Sequence, residues 1–122
     1  MVTTIIYTLS DPRSGDVRYV GQTGDLHLRM IAHMSEARTV LRTQRIGHRT
    51  PEDLYEWIAE LIQERTEPVV VEIDRLDCDG TYETCGCLSY CQGASDIEEA
   101  CIADLEERGS NLFNIARPRK RD

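Results

Sequence analysis

No apolar run in this 122-residue chain approaches the roughly 18 to 20 residues that cross a bilayer, so no transmembrane helix is expected. The opening Met1-Val2-Thr3-Thr4 lacks the charged region, apolar stretch and cleavage site of a secretory leader, which sets the expectation of a cytoplasmic protein. There is no internal repeat, low-complexity stretch or flexible linker, and the chain reads as one domain. Aromatic residues are scarce at 6%, and a single lysine stands against thirteen arginines. Bulk positive charge is also lacking: a net charge of −8 argues against a protein that grips nucleic acid by charge alone. What is present suits a soluble, folded domain, with 40% apolar and 30% charged residues.

The charge is unevenly placed. Residues 1–65 hold nine acids and eight bases, whereas residues 66–107 hold twelve acids and only Arg75. The end reverses sign, with Arg108, Arg117, Arg119, Lys120 and Arg121 against Asp122. A polyanion would meet the first half and the tail and be repelled between them. An acidic surface also serves solubility alone.

β-Branched and aromatic residues make Thr3–Leu9 a strand, Ser10–Asp16 a turn and Val17–Gly21 a second strand, so the chain opens with a β-hairpin. Asp25 caps a helix over about 26–40, with Leu26, Met30, Ala37 and Leu41 on one stripe and Arg29 and His33 four apart along it. Thr50-Pro51-Glu52-Asp53 reads as a second helix start, with Pro51 in its first turn. Leu54, Trp57, Ile58, Leu61 and Ile62 form that helix's buried face. Pro68–Ile73 is a third strand, and Ser95 or Asp96 caps a last helix ending near Gly109. The order is that of a small α+β domain with a sheet and helices packed against it.

The run Ile5-Ile6-Tyr7, then Tyr19-Val20-Gly21-Gln22-Thr23, then Arg29 and His33, with a later helical glutamate and Asn114, resembles the GIY-YIG nuclease family. The resemblance spans Ile5 to Asn114. It implies a central three-stranded antiparallel sheet flanked by helices over residues 1–116; the turn-rich, Cys-rich stretch 77–94 reads as an insertion before the last helix and 117–122 as a basic tail. It further implies a Mg²⁺- or Mn²⁺-dependent DNA endonuclease. Two positions depart from the pattern: Ile5 stands where the name motif has glycine, and Gln22 where some relatives carry lysine.

Following the resemblance, Tyr7 is the expected base that activates water, Tyr19 positions water or phosphate, and Asn114 buttresses the site. Arg29, a planar and always charged fork, would hold non-bridging phosphate oxygens. His33 would orient a tyrosine or shuttle its proton. A phenol with a free pKa near 10 works as a base only beside cations, a role expected of Arg18, Arg29 and His33. Arg18, Gly21 and Gln22 are assigned to the substrate wall. Glu98 lies under Ile102 and Leu105 at helical spacing, at the edge of the buried face, whereas Glu99 points to solvent. Glu98 is therefore the expected metal ligand, one carboxylate suiting a largely hydrated Mg²⁺.

Cys78, Cys85, Cys87 and Cys91 fall within fourteen residues. Four thiolates can close a structural Zn²⁺ site, but the spacing matches no paired knuckle, and disulfides or free thiols stay open beside it. Cys101 reads as a small core residue. The expected partner is DNA, with the basic tail, a homodimer or a recruiting protein supplying affinity, and no membrane. The alternative is a non-catalytic interaction domain of the same fold that binds protein through its acidic face or its Cys loop. A thiol-redox or zinc-sensing role would rest on the cysteines alone.

Overall fold

The alternation of β-branched and aromatic residues at the N-terminus produces β1 (Val2–Ser10), which becomes the middle of the sheet. The computed structural model describes residues 2–43, 53–78 and 92–116. β1 pairs antiparallel with β2 (Val17–Thr23) on one side and with β3 (Val69–Cys78) on the other, giving the order β2-β1-β3. The described residues also form helices α1 (Leu26–Thr43), α2 (Leu54–Gln63) and α3 (Gln92–Glu107), and a closing 3₁₀ turn at Phe113–Ala116. The described residues thus form a small α+β domain with a three-stranded antiparallel sheet and three helices.

Period-two alternation sends successive β1 side chains to opposite faces. Tyr7 and Leu9 pack with Ala37 of α1 and with Leu54, Trp57, Ile58, Ala59 and Leu61 of α2. Ile6 packs on the other face with Val20, with Ile102 of α3 and with Leu112. Ile6, Tyr7 and Leu9 are completely buried, as a central strand covered on both faces requires. β3 is less protected, and Val69, Val70, Val71 and Ile73 remain exposed along that edge of the sheet.

Two β-bulges interrupt the ladders. Between β1 and β2 the register passes from Leu9 opposite Tyr19 to Ser10 opposite Val17, which leaves Arg18 as the extra residue. Between β1 and β3 it passes from Ile6 opposite Asp74 to Tyr7 opposite Glu72, leaving Ile73 unpaired beside Tyr7. A bulge bends its strand and re-aims the side chains next to it.

Several sequence boundaries need correction. α1 runs on to Thr43. α2 begins at Leu54, about one turn later than the Pro51 signal suggested: Asp53 is its cap, accepting from the Glu56 amide at 2.8 Å, and Pro51 lies outside the described residues. β3 extends to Cys78, so Asp77 and Cys78 belong to the sheet rather than to an insertion. α3 starts at Gln92, which places Ser95 inside the helix, where its hydroxyl serves Gln22 instead of a cap. The Asp25 cap is present, with Leu28 N donating to its carboxylate at 3.0 Å. Cys85, Cys87, Cys91 and the basic tail lie outside the described residues.

Candidate active site

Tyr7 and Gly21 face each other across the β1–β2 ladder, and Tyr19 is the diagonal neighbour on the same face. The two tyrosine rings lie 6.3 Å apart between centroids and converge over Gly21. A β-carbon at that position would stand 2.6 Å from both Cζ and Oη of Tyr7 and 2.9 Å from Cε2 of Tyr19. Gly21 is therefore required for space rather than for backbone freedom, and its absent side chain is what lets the phenols meet.

α1 crosses above this point and delivers His33, whose Nε2 lies 2.8 Å from the Tyr7 hydroxyl. His33 is 1% exposed, and its Nδ1 is buried with no hydrogen-bond partner among the described residues. Arg29, one turn earlier, is exposed yet acts electrostatically on both phenols. Burial pushes the Tyr7 phenol up to about 12, against the pull of Arg29 and with the help of Tyr19 and Tyr55. Burial likewise raises Tyr19, with Arg29 opposing and Glu98 and Tyr55 adding to the rise. His33 is pushed down to about 4, first by burial and then by the charge of Arg29, so the ring is neutral at pH 7.

The expectation of three cations around the tyrosines is corrected accordingly. His33 is uncharged. Arg18 is the bulge residue: its Nε donates to the Asn111 carbonyl at 2.9 Å, and its guanidinium lies 4.3 Å from the Phe113 ring centroid and 5.9 Å from that of Trp57. Among the described residues only Arg29 favours phenolate, and burial outweighs it.

Gln22 points to the opposite face from Tyr19, toward α3. Its Nε2 donates to Glu98 Oε1 at 2.8 Å and to Ser95 Oγ at 3.1 Å. The amide that was assigned to the substrate wall thus orients the Glu98 carboxylate. Glu98 is half-buried while Glu99 is exposed, as the helical spacing implied. Glu98 also reaches Tyr19 electrostatically from across the edge of β2.

Asn114, in the 3₁₀ turn, is 5% exposed and completes the site from behind. Its Oδ1 accepts from Val20 N and its Nδ2 donates to Val20 O, both at 2.8 Å. One side chain thereby imitates a neighbouring strand and holds the outer edge of β2 between Tyr19 and Gly21.

The donor set can be tested against a metal. Among the described residues no group of three or more His, Cys, Asp or Glu side chains gathers to hold an ion. Glu98 is a single carboxylate with one oxygen engaged by Gln22. That fits a hard, largely hydrated cation such as Mg²⁺ or Mn²⁺, and not a cation that needs a closed protein cage. The four-thiolate zinc expectation falls on Cys78, whose side chain is not described, and on Cys85, Cys87 and Cys91. Cys101 is a half-buried residue of α3 packed beside Ile102, its thiol pushed up by burial.

One residue went unnoticed in the sequence. Tyr55, in the first turn of α2, places its ring 5.9 Å from that of His33. It sits one position off the stripe of Leu54, Trp57 and Ile58, and nothing in that spacing separates it from an ordinary flanking aromatic.

The chain matches no protein-family model, no curated protein and no solved structure. No helix among the described residues is long and apolar enough to cross a membrane.

Proposed function

We propose that this chain is a GIY-YIG-type endonuclease that hydrolyses phosphodiester bonds in DNA. The observation that carries the reading is the meeting of Tyr7, Tyr19 and His33 over Gly21, with the Arg29 guanidinium alongside. A hairpin whose strands bring two phenols onto a side-chain-free position, met by a buried imidazole, is costly to build for packing alone.

Arg29 reaches solvent and can receive the non-bridging oxygens of a phosphate in a bidentate grip. Tyr7 is a protonated phenol at neutral pH. Burial raises the Tyr7 phenol and lowers the His33 imidazole, so a full transfer of the proton from Tyr7 to His33 is uphill and no free phenolate forms at rest. A concerted relay bypasses the phenolate: the hydroxyl accepts a proton from the attacking water while passing its own to Nε2, 2.8 Å away, and His33 carries that proton as the imidazolium until it is released to solvent. Tyr19 borders the same space, and Asn114 keeps β2 in register. Glu98, steadied by Gln22 and Ser95, would hold the Mg²⁺, which when bound supplies Lewis acidity and an acidified water.

A second reading has its own observation. α3 carries Asp96, Glu98, Glu99, Asp104, Glu106 and Glu107 and no base, a charge that repels nucleic acid and suits a basic protein partner. In that case the fold serves as a non-catalytic interaction domain.

Cleavage of plasmid, forked and single-stranded DNA with Mg²⁺, at low and high salt, separates the two. Endonuclease action predicts cuts that fall by at least about 100-fold in Glu98→Ala, Arg29→Ala and Tyr7→Phe. Neither cleavage nor DNA binding by the wild-type chain on any substrate would turn the assignment to the interaction domain.

A further inference from the structure

Among the described residues the His33 ring is held by a single hydrogen bond. A functional imidazole is ordinarily fixed by a second one, from its other nitrogen to a carboxylate or carbonyl, which sets both tautomer and plane. Here Nδ1 is buried with no such partner among the described residues. A ring pinned at one nitrogen can pivot about that contact unless packing stops it.

Packing does stop it, on three sides. The ring centroid of His33 lies 6.1 Å from Tyr7 at an interplanar angle of 60°, 5.8 Å from Tyr19 at 80°, and 5.9 Å from Tyr55 at 42°. Tyr7 and Tyr19 come from one hairpin and approach from the sheet. Tyr55 comes from α2, packs on the same α1–α2 core and supplies the wall the sheet cannot. The Asp53 cap fixes the first turn of α2, so Tyr55 is carried on a rigid element.

We propose that Tyr55 is a positioning residue of this site, whose ring closes a three-tyrosine box around His33 and keeps Nε2 aligned on the Tyr7 hydroxyl. The inference rests on the endonuclease reading for its consequence in catalysis, but the box itself stands independently of it. The groups that face His33 are Tyr7 from β1, Tyr19 from β2, Arg29 from α1 and Tyr55 from α2. Glu98 of α3 acts one step away, on Tyr19. No carboxylate among the described residues acts on the ring, so the box excludes water without charging the imidazole. It is the steric wall, not the Tyr55 hydroxyl, that does this work, which separates two substitutions.

The test is NMR titration of His33 in the full chain, assigned by its loss in His33→Gln, for the wild type, Tyr55→Phe and Tyr55→Leu, each checked for a cooperative unfolding transition. Tyr55→Phe keeps the wall and should leave the His33 midpoint within about 0.3 units. Tyr55→Leu opens it, and the midpoint should rise by at least about one unit toward 6.5. On DNA, Tyr55→Leu should lower kcat by about 10- to 100-fold with KM within about threefold, and Tyr55→Phe should retain kcat within about threefold. A folded Tyr55→Leu with an unshifted His33 midpoint overturns the proposal. Should Tyr55→Leu fail to unfold cooperatively, Tyr55→Met carries the same two readouts. If the wild type cuts no DNA, the endonuclease reading falls while the titration still decides the role of Tyr55.

Discussion

Two buried polar networks meet β1 and α2, and they are finished to different degrees. At the turn after β1, the Asp11 carboxylate accepts from Arg13 N, Nε and Nη2 at 2.7–2.9 Å and from Trp57 Nε1 at 3.0 Å. Arg13 continues to Glu60 and Glu64 on α2. Arg13 holds the Asp11 carboxyl well below the usual carboxylate range, and Arg13 is in turn held charged. Toward the middle of β1, the network of Tyr7, Tyr19, His33 and Arg29 leaves Nδ1 without a partner among the described residues, its phenols raised and its imidazole depressed. The first network has closed its hydrogen bonds and clamps the hairpin to α2. The second keeps capacity in reserve, and reserve of that kind is what chemistry needs.

Removing the clamp is expected to have the largest effect on stability. Asp11→Ala leaves the buried Trp57 Nε1 without its acceptor and frees Arg13 from the turn while Glu60 and Glu64 still hold it, a loss of about 2–4 kcal/mol together. Urea unfolding should show that loss, while cleavage per folded molecule, read well below the midpoint, stays within about threefold. Equal loss of cleavage would mean that the two networks act as one. The Arg13–Glu64 pair is half-exposed and should contribute under about 1 kcal/mol.

The networks should also come apart on a pH axis. His33 binds its proton near 6.5 when unfolded and near 4 when folded, so the unfolded state holds more protons between those values. Stability is therefore full above about pH 6.5 and declines as pH falls toward 4, by up to about 3 kcal/mol. The Asp11 carboxyl is depressed, so its contribution is present above about pH 4 and is lost only as pH falls further. Urea midpoints measured from pH 8 to 3 should show two declines. His33→Gln should remove the upper one and Asp11→Asn the lower.

Two glycines sharpen the contrast at smaller cost. Gly21→Ala forces a β-carbon into the tyrosines and should cost about 1–3 kcal/mol, with cleavage lost by at least about 100-fold. Gly15, in the clamp turn, has φ +83° and open space around its α-carbon. Gly15→Ala should cost about 1 kcal/mol through backbone strain alone and leave cleavage unchanged. A cleavage loss in Gly15→Ala would show that the turn geometry reaches the site.

Much of this arrangement was legible from residue order, because local rules govern it. The β-branched run of β1, the Asp25 cap, the α2 stripe and the Glu98-against-Glu99 choice each depend on a period or a neighbour. What was not legible depends on register. The bulge that diverts Arg18 onto Phe113 cannot be counted from the hairpin sequence, and it removed a cation assigned to the tyrosines. Gln22 alternates to the far face and meets Glu98, a contact across 76 positions. The Asp11–Trp57 bond spans 46. Tyr55 gave no signal, since its role arises only where α2 passes His33.

The smallest predicted change bears on the helix that serves both networks. α2 ends with Thr66 N bonded to Leu61 O and Arg65 N to Ile62 O, each at 2.9 Å, and Arg65 is in the left-handed region at φ 63°. α3 ends the same way, with Ser110 N on Leu105 O and Gly109 N on Glu106 O, but there Gly109 takes the left-handed position at φ 92°. A side chain in that conformation costs about 1–2 kcal/mol, part of which glycine returns as entropy of the unfolded chain. Arg65→Gly should therefore raise stability by about 0.5–1 kcal/mol in urea unfolding. Since α2 carries Trp57 and Glu60 of the clamp and Tyr55 of the site, both networks gain a firmer support. Neither changes a contact, so the His33 midpoint and the rate of cleavage should stay where they are. A shift in either would mean that the site depends on looseness at the end of α2.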